Sequence, residues 1–177
     1  MYNRQNRQKP NNLIWLSGGL RLLLGVLCAG LLISVLSGCS MASERQKQLY
    51  DNEAELAQEG DTFTYVKRAS AINNAVTTIS FSTFYGMETI WYIHASAEGK
   101  VTFLHQQEID SGRFKMVAIA PDSQVTTLAE GSSEGQMELK VNPGTYRIKF
   151  VGNDAKGRVK TEIQADAGIR ITTGNDE

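Results

Sequence analysis

The sequence predicts an all-β fold, an antiparallel β-sandwich or barrel built from seven or eight strands. Three observations carry that expectation. From Phe63 onward, β-branched and aromatic residues gather in short runs such as Val76-Thr77-Thr78-Ile79-Ser80-Phe81. Turn-forming residues interrupt these runs about every ten residues, which suits an antiparallel arrangement and not a parallel sheet. The later runs, Met137 to Val141 and Tyr146 to Phe150, alternate apolar with polar residues, as half-buried strands do.

The chain starts differently. Residues 1–38 carry Arg4, Arg7, Lys9 and Arg21 and no acidic residue, and Leu22 to Gly38 is an uncharged run of 17 residues. A basic start followed by an apolar helix and small residues is the pattern of a secretory signal. The run also lies at the lower edge of what crosses a bilayer, so an uncleaved anchor is the alternative. Its end, Leu36-Ser37-Gly38-Cys39, resembles the lipobox of bacterial lipoproteins. That resemblance implies cleavage before Cys39, acylation of Cys39, and anchoring by acyl chains at about 0.8 kcal/mol per buried CH₂. Ser40 after the cysteine, by resemblance to sorting rules in bacteria with two membranes, permits the outer membrane. Cys28 leaves with the signal, so the mature chain has no free thiol for a disulfide, a nucleophile or a metal.

Removing the signal leaves 14 Lys and Arg against 19 Asp and Glu, a net charge of −5. Nucleic-acid binders usually show the opposite sign, so no nucleic-acid partner is expected. Residues 39–62 are polar and read as a tether, with Tyr50, Ala54, Leu56 and Ala57 giving at best one short helix. The β domain spans 63–165. Within it Glu98-Gly99 reads as a two-residue hairpin turn, which would pair Tyr92 with His105 and His94 with Phe103. Asn142-Pro143-Gly144-Thr145 places Pro and Gly where a type II turn requires them. Residues 166–177 read as a flexible tail, with Ile169 and Ile171 able to form a last short strand.

The pattern "GRFKMVAIAPDSQV…ELKVNPGTYRIKFVG…GRVKTEI" resembles the jelly-roll β-sandwiches of bacterial secreted proteins, the pre-peptidase C-terminal type and carbohydrate-binding-like modules. It is also similar to uncharacterised lipoproteins of Gram-positive bacteria. The resemblance covers roughly residues 75–165 and implies a jelly-roll-like sandwich. Its motifs are turns, a Pro-Asp-Gly-like one and a Pro-Gly-Thr-Tyr one. Here the first turn is Pro121-Asp122-Ser123, without the glycine. Turn chemistry transfers no catalytic residue.

Candidate chemistry is sparse. His94 and His105 would be diagonal neighbours on one face of the expected hairpin, about 7–8 Å apart. Only Glu88 shares their parity, which is too few ligands for a metal, and no metal or other cofactor is expected. No hydrolase or phosphate-loop motif occurs, and Glu108 with Asp110 reads as a turn pair. No enzymatic activity is expected. Two sets of residues remain as candidate ligand contacts. Tyr85 and Trp91 would serve as aromatic platforms for a sugar or wall polymer, although Ile90 and Ile93 around Trp91 suit a core position. Lys140, Arg147, Lys149, Arg158 and Lys160 would form a basic patch if three consecutive strands pair as a meander. Such a patch suits anionic headgroups or a wall polymer; a solvated sheet face is its plainer reading. The sequence therefore points to a lipid-anchored extracytoplasmic binding or adaptor domain on the cell membrane or outer membrane, with the membrane, through the lipid on Cys39, and an envelope protein or cell-wall polymer as partners. A carbohydrate or wall-polymer module and an enzyme with an unrecognised site are the alternatives.

Overall fold

The structure, a computed structural model, describes residues 42–174. The expected signal segment 1–38 and Cys39, the expected lipidation site, lie outside them. Two short helices, α1 (Glu44–Gln48) and α2 (Glu53–Leu56), flank a 3₁₀ turn at Leu49–Asp51. Eight strands follow: β1 (Thr62–Thr64), β2 (Lys67–Ile72), β3 (Val76–Ala95), β4 (Gly99–Ile119), β5 (Val125–Glu130), β6 (Ser133–Val141), β7 (Gly144–Ala165) and β8 (Ile169–Thr173).

β3, β4 and β7 are 20 to 22 residues long, far beyond an ordinary strand. Each is kinked near its middle. Thr83 in β3 and Asp154 in β7 have φ of 52° and 53°, and Gly112 in β4 has φ of 72°. Register shifts fall at the Thr83 and Gly112 levels, between Phe81 and Gly86 and between Ile109 and Arg113. Glycine is required at 112, because a Cβ there would stand 2.1 Å from the Asp154 carbonyl oxygen. The kinked backbones therefore cross in contact.

Cutting the long strands at their kinks gives eight segments in chain order: 76–82, 84–95, 99–110, 113–119, 125–130, 133–141, 144–153 and 155–165. One layer pairs the first, eighth, third and sixth, with β2 on the outer edge of the first segment. The other pairs the second, seventh, fourth and fifth, with β1 and β8 on the edge of the second. All pairings are antiparallel. Two four-stranded layers in the orders 1-8-3-6 and 2-7-4-5 are a jelly roll, as the resemblance implied.

Between the layers lies the main core, including Ile79, Phe81, Phe103, Val159 and Ile163 from the first and Phe84, Ile93, Met116, Ile148 and Phe150 from the second. Phe114 joins the halves, its ring centroid 5.3 Å from that of Phe81 and 5.2 Å from that of Phe150.

Three expectations need correction. The hairpin at Glu98-Gly99 does not form: residues 84–95 and 99–110 belong to different layers, and β7 pairs with both β3 and β4. A turn signal fixes that the chain reverses, not that its flanks hydrogen-bond. Residues 42–61 are not a tether. Leu49, Tyr50 and Leu56 are buried against Met87, Val117, Ile119 and Val151, forming a second core on the outer face of the second layer. No single helical stripe announces this because the segment is broken at Asn52, whose side chain caps α2 as Ser43 caps α1. The tail 166–177 is ordered as far as described: β8 pairs with residues 91–95 of β3, and Gly174 N donates to Ile90 O.

Candidate functional site

The residues proposed as ligand contacts scatter over the molecule. Trp91 is fully buried and its Nε1 donates to Asn73 O at 2.8 Å, so it is a core residue and not a platform. Tyr85 is half-buried on the outer side of the second layer, across from Thr64. Loss of solvent, followed by the nearby charge of Asp154, pushes its hydroxyl pKa up.

The basic patch does not exist as drawn. The segments 146–150 and 159–163 are two halves of one kinked strand in different layers, so no meander joins them to β6. Arg158 and Lys160 are exposed on the outer face of the first layer, paired with Glu108 at 3.2 Å and Glu162 at 2.7 Å. Lys140 is exposed on the edge strand β6, opposite Lys100. Arg147 and Lys149 point the other way, beneath residues 57–61. The Arg147 guanidinium donates to Ala57 O and Gln58 O at 2.6 and 2.8 Å, carbonyls left over at the end of α2. Lys149 is completely buried. Its Nζ donates to Gln58 O at 3.1 Å and Gly60 O at 2.9 Å and stands 3.6 Å from Asp61 Oδ1. Burial pushes its pKa down to about 8 against the pull of Asp61. Lys149 was expected to face water because its strand alternates; it does face outward from the sandwich, but residues 57–61 cover that face.

The histidines are not neighbours. His94 sits in the second layer with Nε2 3.1 Å from Thr172 Oγ1. His105 sits in the first layer, buried, opposite Thr161 and Gly135. Glu88 is engaged by neither histidine. Tyr65 donates to it at 2.6 Å and Arg68 at 2.5 Å, while burial pushes its carboxyl up. Among the described residues no three His, Cys, Asp or Glu side chains gather as metal ligands would.

His105 belongs to an unexpected feature. The side chains of Thr77, Thr161 and His105 lie side by side across three strands on the inner face of the first layer, with Gln107 and Ser133 opposite each other one step nearer the kink. Thr77 Oγ1, Thr161 Oγ1, His105 Nδ1, Ser133 Oγ and both amide atoms of Gln107 are buried without a protein partner. Each such group costs about 1–3 kcal/mol if left dry.

One concave site is built from the two turns that the sequence singled out. At the open edge between β5 and β6, the turn at 120–124 meets the turn at 142–145 around a cleft of about 330 Å³. Ala118, Leu139 and Tyr146 form its floor, Pro121 and Pro143 its walls, and Asp122, Gln124, Lys140 and Asn142 its polar rim. The turns touch at Gly144 and Pro121, and each is braced by its own hydrogen bonds. A Cβ on Gly144, whose φ is 145°, would stand 2.5 Å from Pro121 Cγ. Asn142 N donates to Tyr146 Oη at 2.9 Å, Ser123 N to Ala120 O at 2.9 Å and Gln124 N to Asp122 Oδ1 at 3.1 Å. Ser123 has φ of 70°, taking the left-handed conformation where the resembling turn has glycine. Of the rim, only Lys140 is among the ligand contacts expected from the sequence. Asp122, Gln124 and Asn142 were visible as turn residues but not as neighbours.

No protein-family model and no curated protein matches this chain. Among solved structures, the apo CBM1 of BiXyn10A aligns over 65% of this chain and 99% of its own, at 8% identity and a TM-score of 0.35. A CBM4 structure aligns over 74% and 98%, at 6% identity and a TM-score of 0.33. The enzymatically active domain of tailspike protein 4 of bacteriophage CBA120 aligns over 74% of this chain and 21% of its own, at 7% identity and 0.37. These are distant likenesses, mostly to carbohydrate-binding modules, and the architecture stands on the strand order described above.

Proposed function

We propose that the protein is a non-catalytic binding domain, held by a lipid on Cys39 at the outer side of a cell membrane or outer membrane, and that it takes a carbohydrate or wall polymer in the edge cleft. The carrying observation is the convergence of the two proline turns on one concavity. An apolar floor ringed by a carboxylate, two amides and an ammonium group suits a ligand with apolar ring faces and hydroxyls that both donate and accept. The platform version of this reading, through Trp91, is replaced by the cleft.

The test is co-sedimentation of the protein with purified wall polymer, comparing wild type with Gln124→Ala and Lys140→Ala. Each lost hydrogen bond of about 1–1.5 kcal/mol weakens binding roughly tenfold. Failure of the wild type to sediment, or equal sedimentation of the variants, overturns the cleft assignment.

The adaptor reading has its own observation. The outer face of the first layer is open and carries the pairs Lys100–Glu138, Arg158–Glu108 and Lys160–Glu162. Cross-linking in the native membrane, with Cys39→Ala as control, tests it. Recovery of a specific envelope protein only with the lipidated form favours this second reading.

A further inference from the structure

We propose that the corner from Phe63 to Val66 is the face by which the domain lies on the bilayer. This inference rests on the reading that Cys39 is lipidated, and it adds an orientation that the lipid alone does not impose.

The argument begins with chain length. Ala42 is 97% buried and lies three residues after Cys39, so their Cα atoms are at most about 11 Å apart. The ordered domain therefore starts at the membrane surface, with no spacer to lift it away. Within one turn of Ala42, α1 is fastened to β1. Its Ser43 and Gln46 cap each other, while Gln46 Nε2 donates to Thr62 Oγ1 and Thr64 Oγ1 donates to Gln46 Oε1, both at 3.3 Å. Phe63 lies between those two threonines. Adding the helical turn and one side-chain pair keeps Phe63 within roughly 25 Å of Cys39, less than a domain diameter of about 35–40 Å.

The surface found there is the one a bilayer suits. Among the described residues the exposed large hydrophobics are Phe63, Val66 and Leu104, at 43%, 45% and 38%. Two of the three fall within four residues of each other, beside the anchored end of the domain. Leu104 is on the outer face of the first layer. The corner is also held rigidly. The Phe63 ring packs 5.5 Å from Tyr65, whose ring stacks 4.4 Å from that of Phe84 and whose hydroxyl is fixed by Glu88. Lys67, exposed and next in the chain, is placed to meet anionic headgroups. An apolar pair flanked by a basic residue is the composition of an interfacial contact.

The experiment uses the full-length protein, processed in a bacterial host and reconstituted into phosphatidylethanolamine–phosphatidylglycerol vesicles. Acylation leaves Cys39 unreactive, so Val66→Cys and Gln106→Cys can each be labelled singly with an environment-sensitive fluorophore, and mass spectrometry reports the state of Cys39. The label at 66 is expected to shift to the blue and to be quenched several-fold more by spin-labelled lipids than the label at 106. Equal quenching at the two sites with acylated Cys39 overturns the orientation while leaving the anchor standing. A blue shift at 66 without lipid quenching also overturns it, indicating contact with a second copy instead. An unacylated Cys39 overturns the anchor itself and the orientation with it.

Discussion

Lys149 offers the sharpest test of the structure, because a wholly buried ammonium group leaves a signature in the pH dependence of stability. Its folded pKa of about 8 compares with about 10.4 in an unfolded chain. Between these values the unfolded state holds more protons than the native state, so unfolding free energy rises with pH. Full conversion corresponds to about 3 kcal/mol at 1.36 kcal/mol per pK unit. Over the accessible range from pH 7 to 9.5 the linkage relation gives about 2 kcal/mol. The range stops there because Tyr50 and Tyr65, whose pKa values are raised by burial, add the opposite slope above pH 10. Lys149→Met removes the titration. At a fixed pH its effect combines relief of a buried charge with loss of the side-chain donor to Gly60 O and of one of the two donors to Gln58 O, which keeps Arg147, so the slope is the diagnostic quantity. Urea unfolding followed by the fluorescence of Trp91 should show the wild-type-minus-variant difference rising by about 2 kcal/mol from pH 7 to 9.5. A flat difference would refute the burial argument. A falling one would mean that Asp61 and the carbonyls overcompensate the lost hydration.

Leu56→Ala should cost about 2–5 kcal/mol in the same assay, because Leu56 is wholly buried under the second layer; a change below about 0.5 kcal/mol would return residues 42–61 to the role of a tether. Ser123→Gly should stabilise by up to about 1 kcal/mol, the relief of a left-handed residue less the added freedom of the unfolded chain. A loss of stability there would show that the Ser123 side chain contributes more than its backbone costs. Thr161→Val should be neutral or stabilising, since Thr161 Oγ1 is buried without a protein partner. A cost above about 1 kcal/mol would reveal ordered water linking Thr77, Thr161 and His105.

Strand identity was legible where one face of a strand meets core and the other meets water. Met137 to Val141 reads correctly because Glu138 and Lys140 are exposed while Val141 is buried. Tyr146 to Phe150 has the same pattern and gave a false exposure for Lys149. Alternation says which residues share a face, but not whether another segment covers that face. The residues that cover Lys149, 57–61, lie 88 to 92 positions earlier in the chain, held there by Leu49, Tyr50 and Leu56, which fit no single helical stripe.

The β class, the turn positions and the composition of the strands are local properties of the chain, because φ/ψ preference and side-chain period act within a few residues. The sequence also carries the lipobox-like end of its apolar segment as a purely local signal. Long-range packing sets the pairing of β7 with both β3 and β4, the placing of His94 and His105 in different layers, and the division of the five expected surface cations between opposite faces. The cause lies in the kinks at Thr83, Gly112 and Asp154. Each folds one continuous strand into two layers, so neighbours in sequence part company and distant residues meet.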